Sequence, residues 1–114
     1  MPKQRVAHPL DHHPAFRAVI AAAPPVAELA TSIGASSLVG TLALACSDLA
    51  DGFAAPPESR RRIASHQRAW VAVRELDRVV TAARRASRVP AALAAKAQRA
   101  IDRADVLVGA LLPA

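Results

Sequence analysis

The side chains in this sequence that could do chemistry are mostly guanidinium groups, and they crowd one segment. Residues 58–88 contain neither Pro nor Gly and carry Arg60, Arg61, Arg68, Arg74, Arg78, Arg84, Arg85 and Arg88. If each residue advances about 100° around a helix axis, Arg60, Arg74, Arg78 and Arg85 gather on one face with Gln67 and Val71, and Arg61 and Arg68 lie beyond it. The spacing predicts a single helix about 45 Å long, at about 1.5 Å per residue. Guanidinium groups grip phosphates bidentately without an aromatic neighbour. The chain has no Tyr, two Phe and one Trp, so platforms for stacking bases are nearly absent and any nucleic-acid contact is expected along the backbone, with little sequence readout. A partner-protein surface or a merely solvated face fits the same residues. Asp77 is expected to pair with Arg74 or Arg78, and Glu75 to neutralise part of the row.

Other constellations carry less. His8, His12 and His13 have a metal-like spacing but stand in a Pro-interrupted stretch without a clear fourth ligand, so no metal and no cofactor is expected. Cys46 is the only cysteine, which excludes an internal disulfide and fits a reducing compartment. Its neighbours Leu44, Ala45, Ser47 and Asp48 offer no His or cation to activate a thiolate. His66 falls on an apolar face and reads as a core or interface histidine, and Trp70 as a buried anchor. Asp48 and Asp51 lack the paired Glu-x-x-His motifs of a di-metal bundle and are expected to cap or to pair with arginines. With no nucleophile–base pair, phosphate loop or metal set, the sequence points away from an enzyme.

These residues must be positioned by helices. Of 114 residues, 53% are hydrophobic, much of that alanine, and β-branched residues never alternate as they do in strands. Residues 1–12, with Pro2 and Pro9, lack periodicity and are expected to form a mobile arm before a bundle domain over 13–114. Pro14 suits a first helical turn, with Phe16, Val19, Ile20 and Ala23 on one side, until Pro24-Pro25 interrupts the helix. Residues 26–33 resume it and Gly34 stops it. Ser36 or Ser37 caps a second helix with Leu38, Leu42, Ala45, Leu49 and Phe53 inward. Its Val39, Leu44 and Cys46 widen the apolar coverage, which predicts burial from more than one direction, partly between subunits.

Gly52 and Pro56-Pro57 lead into the basic helix, whose packing positions are Ile63, His66, Ala69, Trp70, Val73, Leu76, Val80 and Ala83. Val89-Pro90 then turns the chain into a last helix carrying Leu93, Ala97, Ala100, Ile101, Ala104, Leu107, Val108 and Leu111. Short connections predict an all-α, antiparallel up-and-down four-helix bundle whose first helix is interrupted at Pro24-Pro25. Leu42, Leu49, Phe53, Ile63, Trp70, Val73 and Val80 are its candidate core or oligomer interface. An Ala-rich core buries little area per residue, and oligomerisation would make up the shortfall.

The net charge of +6 and pI near 11.3 favour a polyanionic partner. Arg17 and Pro24-Pro25 interrupt any signal-peptide core, which argues against export. The most apolar stretch, 38–50, is shorter than the roughly 20 residues that span a bilayer and contains Asp48. A cytoplasmic protein without membrane contact is expected.

Ser47-Asp48-Leu49-Ala50-Asp51-Gly52 resembles the Asn-Ile-Ala-Glu-Gly signature of a bacterial four-helix-bundle family. Its members include the proteins encoded in ribosomal-RNA intervening sequences and the Avd accessory proteins of diversity-generating retroelements. That family places a small-residue run ending in Glu-Leu about two dozen residues beyond its glycine, where this chain has Ala69, Ala72, Glu75 and Leu76. The segment Pro-Pro-Glu-Ser-Arg-Arg-Arg is similar to the family's polar entry to its third helix. Asp48 and Asp51 replace the usual Asn and Glu, and Val71 stands where a glycine is common. The resemblance covers residues 38–112. It implies an antiparallel bundle, often a homo-oligomeric ring of five, and for the Avd branch a basic surface engaging RNA or DNA and a reverse transcriptase.

Overall fold

A computed structural model describes residues 9–113, of which all but the turns are helical. The residues form a four-helix bundle whose first helix is bent. A short 3₁₀ turn, Pro9–His12, lies at the end of the stretch expected as an arm, and residues 1–8 lie outside the described residues. The first arm of the bundle comprises α1, Pro14–Ala21, and α2, Ala23–Ile33. The second, third and fourth arms are α3, Ser37–Ala54, α4, Arg60–Arg85, and α5, Ala91–Gly109. The α1–α2 arm packs on α3 and α5, and α4 closes the ring between those two.

The turn chemistry explains the boundaries. Pro14 opens α1, and His13 caps it by accepting a hydrogen bond at Nδ1 from the Ala15 N–H at 3.3 Å. Pro24 and Pro25 occupy the first turn of α2, where their missing N–H groups leave no helical bond unmade, so the bend falls at Ala22 instead of breaking the arm. Gly34 ends α2 at φ 67°, a left-handed cap. Ser36 stands at the start of α3, yet its side chain makes no capping bond. The basic helix is shorter at both ends than residues 58–88. Glu58 and Ser87 adopt φ of 63° and 53°, Ser59 caps the start by accepting from the Arg62 N–H at 3.1 Å, and about 39 Å of helix remains.

The core is thin and aliphatic. Leu29, Leu49, Leu76, Ile101, Val19, Val26, Val73, Val80 and Val108 are its largest enclosed side chains, separated by alanines. Leu42 is also buried, whereas Phe53 and Trp70 are half-buried at its margin and Ile63 is half-buried outside the core cluster. Two expected faces shift. On α1 the inward set is Ala15, Ala18 and Val19, and Ile20 is exposed, because the bend turns α2 onto the core through Val26 and Leu29.

On α3 a single edge, Leu38, Leu42, Ala45, Leu49 and Gly52, is buried, and Leu44 is 62% exposed, so burial from several directions is not achieved within one chain. The outer face of α3, with Val39, Gly40, Ala43, Leu44 and Ser47, is apolar or small up to the exposed Asp51 near its end, and carries no Lys or Arg. Both the α1–α2 segment and α3 are long and apolar enough to cross a membrane by length and composition. That differs from the shorter stretch expected, because the helix around 38–50 extends over 18 residues.

Candidate nucleic-acid interface

The structure places α4 with one side on α3 and α5 and the other in solvent. Arg74, Arg78 and Arg85 line one surface trough of about 670 Å³ together with Trp70, Val71, Glu75, Asp77, Thr81 and Ala82. Arg84 and Arg85 border a smaller hollow with Thr81. Arg60 and Arg61 are exposed in the first turn of α4, at the far end from this group. Seven of the eight arginines predicted from the sequence are exposed on α4 and Arg88 lies in the turn beyond it, so the eight do not form one site.

Their partners divide them. Arg68 Nε reaches Asp48 Oδ1 at 3.4 Å and its Nη2 donates to Ser65 at 3.0 Å. Arg78 pairs with Glu75, one turn back on the same helix, and this hydrogen bond holds the Glu75 carboxyl below its usual range. Arg74 lies over the Trp70 ring, 5.1 Å from its centroid, and 4.0 Å from Asp105. Arg88 donates to the Ile33 carbonyl at 3.3 Å. By contrast, Arg60, Arg61, Arg84 and Arg85 make no side-chain bond or ion pair among the described residues.

Asp77 does not neutralise the row as expected. It accepts from Gln98 Nε2 at 2.6 Å, and the same amide donates to Asp102 at 2.8 Å. Asp77 and Asp102 thus belong to the seam between α4 and α5. Trp70 anchors the other end of that seam, donating from Nε1 to Asp105 at 2.8 Å. With its indole N–H committed and Arg74 over its ring, Trp70 packs α4 on α5 and is poorly placed to stack on a base.

Arg62, absent from the predicted site, is turned inward. Its Nε donates to the Gly52 carbonyl at 2.9 Å and Ala55 at 3.2 Å, and its Nη2 to Phe53 at 3.0 Å and Ala55 at 2.9 Å. These carbonyls belong to the last turn and cap of α3, where the i→i+4 partners run out and only the Gly52 carbonyl also accepts from a backbone N–H, that of Ala55 at 3.1 Å, and they carry the negative end of the helix dipole. A signal for this was present: Arg62 precedes His66, Ala69 and Val73 by four, seven and eleven residues, on the packing stripe itself.

Arg62 also lies over Phe53, 5.9 Å from the ring centroid, within a cluster that joins three elements. The His13 and Phe53 ring centroids are 4.0 Å apart, and those of Phe53 and His66 are 4.7 Å apart. His66 is only 3% exposed and its Nε2 has no hydrogen-bond partner among the described residues. Burial, reinforced by the Arg62 guanidinium and by His13, holds the His66 imidazole below its ordinary range; burial and then Arg62 do the same for His13. The unfolded chain therefore binds protons at both rings more readily than the folded one.

Their contribution to stability is complete above the ordinary imidazole value of 6.5 and is lost as pH falls below it. Protonation at Nδ1 would also remove the His13 cap. Urea midpoints should consequently fall between pH 7.5 and pH 5.5, and ring-proton NMR should place both titrations below 6.5. A transition at or above that value would contradict the assignment.

Cys46 is half-buried and burial pushes its thiol up, which leaves it a packing residue. Asp48 meets Arg68 as expected of a pairing carboxylate, while Asp51 is exposed. Among the described residues no three His, Cys, Asp or Glu side chains gather as a metal site; His12 and His13 are described and His8 lies outside them. No family model, curated protein or solved structure matches the chain. The class that fold and surface define is an all-α bundle with a basic helix face.

Proposed function

We propose that this chain is a non-catalytic, basic accessory protein of the Avd-like kind, which binds the RNA or DNA backbone through the exposed side of α4. The observation that carries the reading is the partner pattern of the arginines. Arg60 and Arg61 at one end of α4, and Arg84 and Arg85 at the other, are exposed and have no carboxylate partner among the described residues. Two pairs of free guanidinium groups on a rod of about 39 Å match a polyanion that runs along the helix, since each neutralised phosphate releases counterions. Arg74 and Arg78, already engaged, contribute less than the sequence suggests.

The apolar outer face of α3 supports a homo-oligomer, a pentamer being favoured by the resemblance; a ring would repeat the basic helix around its circumference. A reverse transcriptase is the protein partner this reading entertains, and a reducing, cytoplasmic setting suits the lone cysteine. The alternative is a protein–protein scaffold. It draws on the trough itself, where Glu75 and Asp77 stand beside Val71, which is 65% exposed, a mixture better matched to a protein surface than to phosphates.

Affinity for mixed-sequence RNA and DNA, measured against salt by fluorescence anisotropy, separates the two. Replacing Arg60, Arg61, Arg84 and Arg85 together by Gln should lower the log–log salt slope by about 3 to 4, at roughly 0.7–0.9 per lost phosphate contact. Arg74→Gln with Arg78→Gln should change it less. No binding at about 50 mM salt would favour the scaffold. Light scattering on the same samples reports the subunit number.

A further inference from the structure

A surface pocket of about 340 Å³, lined by no residue of α4, opens between the start of the bundle and α5. Its walls are His12 from the 3₁₀ turn, Pro14, Arg17, Ala18 and Ala21 from α1, and Arg103 from α5. We propose that this pocket binds a phosphate-type oxyanion, held by Arg17 and Arg103 with His12 as a further donor.

Three observations carry the proposal. First, every described polar side chain lining the pocket is a potential donor, and no carboxylate is among those described. The α4 trough differs in this respect, because Glu75 and Asp77 already stand beside its arginines. Second, Arg17 and Arg103 make no side-chain hydrogen bond or ion pair among the described residues. Asp102, the neighbour of Arg103 in the chain, is engaged by Gln98 on the α4 side of the helix.

Third, the two guanidinium groups come from different helices that the fold packs together, so their juxtaposition is imposed by the bundle and is not a by-product of one helix's periodicity. Like charges facing one hollow repel, and an anion between them converts that repulsion into two sets of charge-assisted hydrogen bonds. Arginine's planar fork fits a tetrahedral oxyanion from either wall. Arg99, one turn before Arg103 on α5, is also exposed and extends the positive potential along the helix.

The pocket shares no residue with the α4 face, so it stands whether or not that face binds nucleic acid. Its ligand could be a free phosphate compound or a phosphate of a nucleic-acid backbone, and the chemistry of recognition is the same. The full-length chain, labelled with ¹⁵N, would be titrated with inorganic phosphate against chloride at constant ionic strength. Saturable shifts are expected at the amides of Ala18 and Ala21 and at the Nε–H of Arg17 and Arg103. Arg17→Gln and Arg103→Gln should each weaken phosphate binding about tenfold, the loss of one charge-assisted bond, whereas Arg84→Gln should not. Both replaced side chains are exposed, so the fold should survive, as far-UV circular dichroism would verify.

A short oligonucleotide added in a second arm distinguishes the sources. If it shifts the same resonances and phosphate competes with it, the pocket takes a backbone phosphate. If phosphate binds and the oligonucleotide leaves these resonances unmoved, the ligand is a small phosphate compound. Shifts that grow without saturation, that appear equally at Arg84 and Arg85, or that persist in both pocket variants would overturn the site. Loss of oligonucleotide binding in the α4 variants, with phosphate binding at Arg17 and Arg103 intact, would leave the pocket standing and concern only the α4 face.

Discussion

Replacing Gly52 with alanine should lower the unfolding free energy by up to about 2 kcal/mol, even though alanine is the better helix former. Two effects oppose each other. Within α3 the substitution removes the backbone-entropy penalty of glycine, a gain of about 1 kcal/mol. Against it, a Cβ on Gly52 would fall inside van der Waals distance of Cδ2 and Nε2 of His66. That ring is buried and flanked by Phe53, so relief requires moving α4 or forcing the imidazole from its rotamer. Overpacking of this kind typically costs about 1–3 kcal/mol, occasionally more, and should outweigh the propensity gain.

Gly40 supplies the control on the same helix. Nothing lies within 4 Å of the Cβ that would be added there, so Gly40→Ala should stabilise by up to about 1 kcal/mol. His66→Ala should rescue Gly52→Ala in part, a coupling that chemical denaturation of the four proteins in a double-mutant cycle would measure. A Gly52→Ala protein as stable as Gly40→Ala would show that α3 and α4 are not as close as the structure places them. The measurement belongs at fixed protein concentration, because assembly would add to apparent stability.

Gly52 also shows what was legible in the sequence. The turn residues Pro14, Gly34, Pro56-Pro57 and Pro90 announce the helix ends, and the three- and four-residue spacing of α4 and α5 identifies their inner faces. Such signals are local, and the bundle obeys them. Contacts between elements were hidden. Nothing near Gly52 in the chain says that His66 will press on it, and nothing near Arg17 says that Arg103 will share its pocket.

Charge misled for a related reason. A helical projection groups arginines by angle, but whether each is free depends on carboxylates from other helices, as with Arg68 on Asp48 and Arg74 near Asp105. Arg62 is the sharpest case, since its charge suggested solvent while its spacing, on the stripe of His66 and Ala69, pointed inward. Spacing was the better guide. The apolar residues Val39 and Leu44 of α3 mark the converse limit, because periodicity cannot tell a face covered by the same chain from one left for another.

Arg62→Ala should destabilise the bundle by about 2–4 kcal/mol, more than the loss of any other arginine. One guanidinium group serves the Gly52, Phe53 and Ala55 carbonyls at 2.9–3.2 Å. Hydrogen bonds to a charged group contribute about 1.5–3 kcal/mol each when well buried. Because Arg62 is only half-buried, water would replace part of that, which sets the total well below the sum. Arg62→Lys should recover little, since an ammonium cannot span carbonyls on both sides of the α3 terminus. A second readout separates this role from generic packing. Arg62 is among the causes that hold His66 and His13 below the ordinary imidazole range, so its removal should raise both titrations towards 6.5. The variant would thus be less stable than the parent at pH 7.5 yet lose less of what remains on acidification to pH 5.5. Histidine titrations unmoved by the substitution would mean that burial alone sets them and that Arg62 acts on the α3 carbonyls only. A loss of stability confined to a few tenths of a kcal/mol, the range of exposed surface pairs, would mean that the cap itself is not formed in solution.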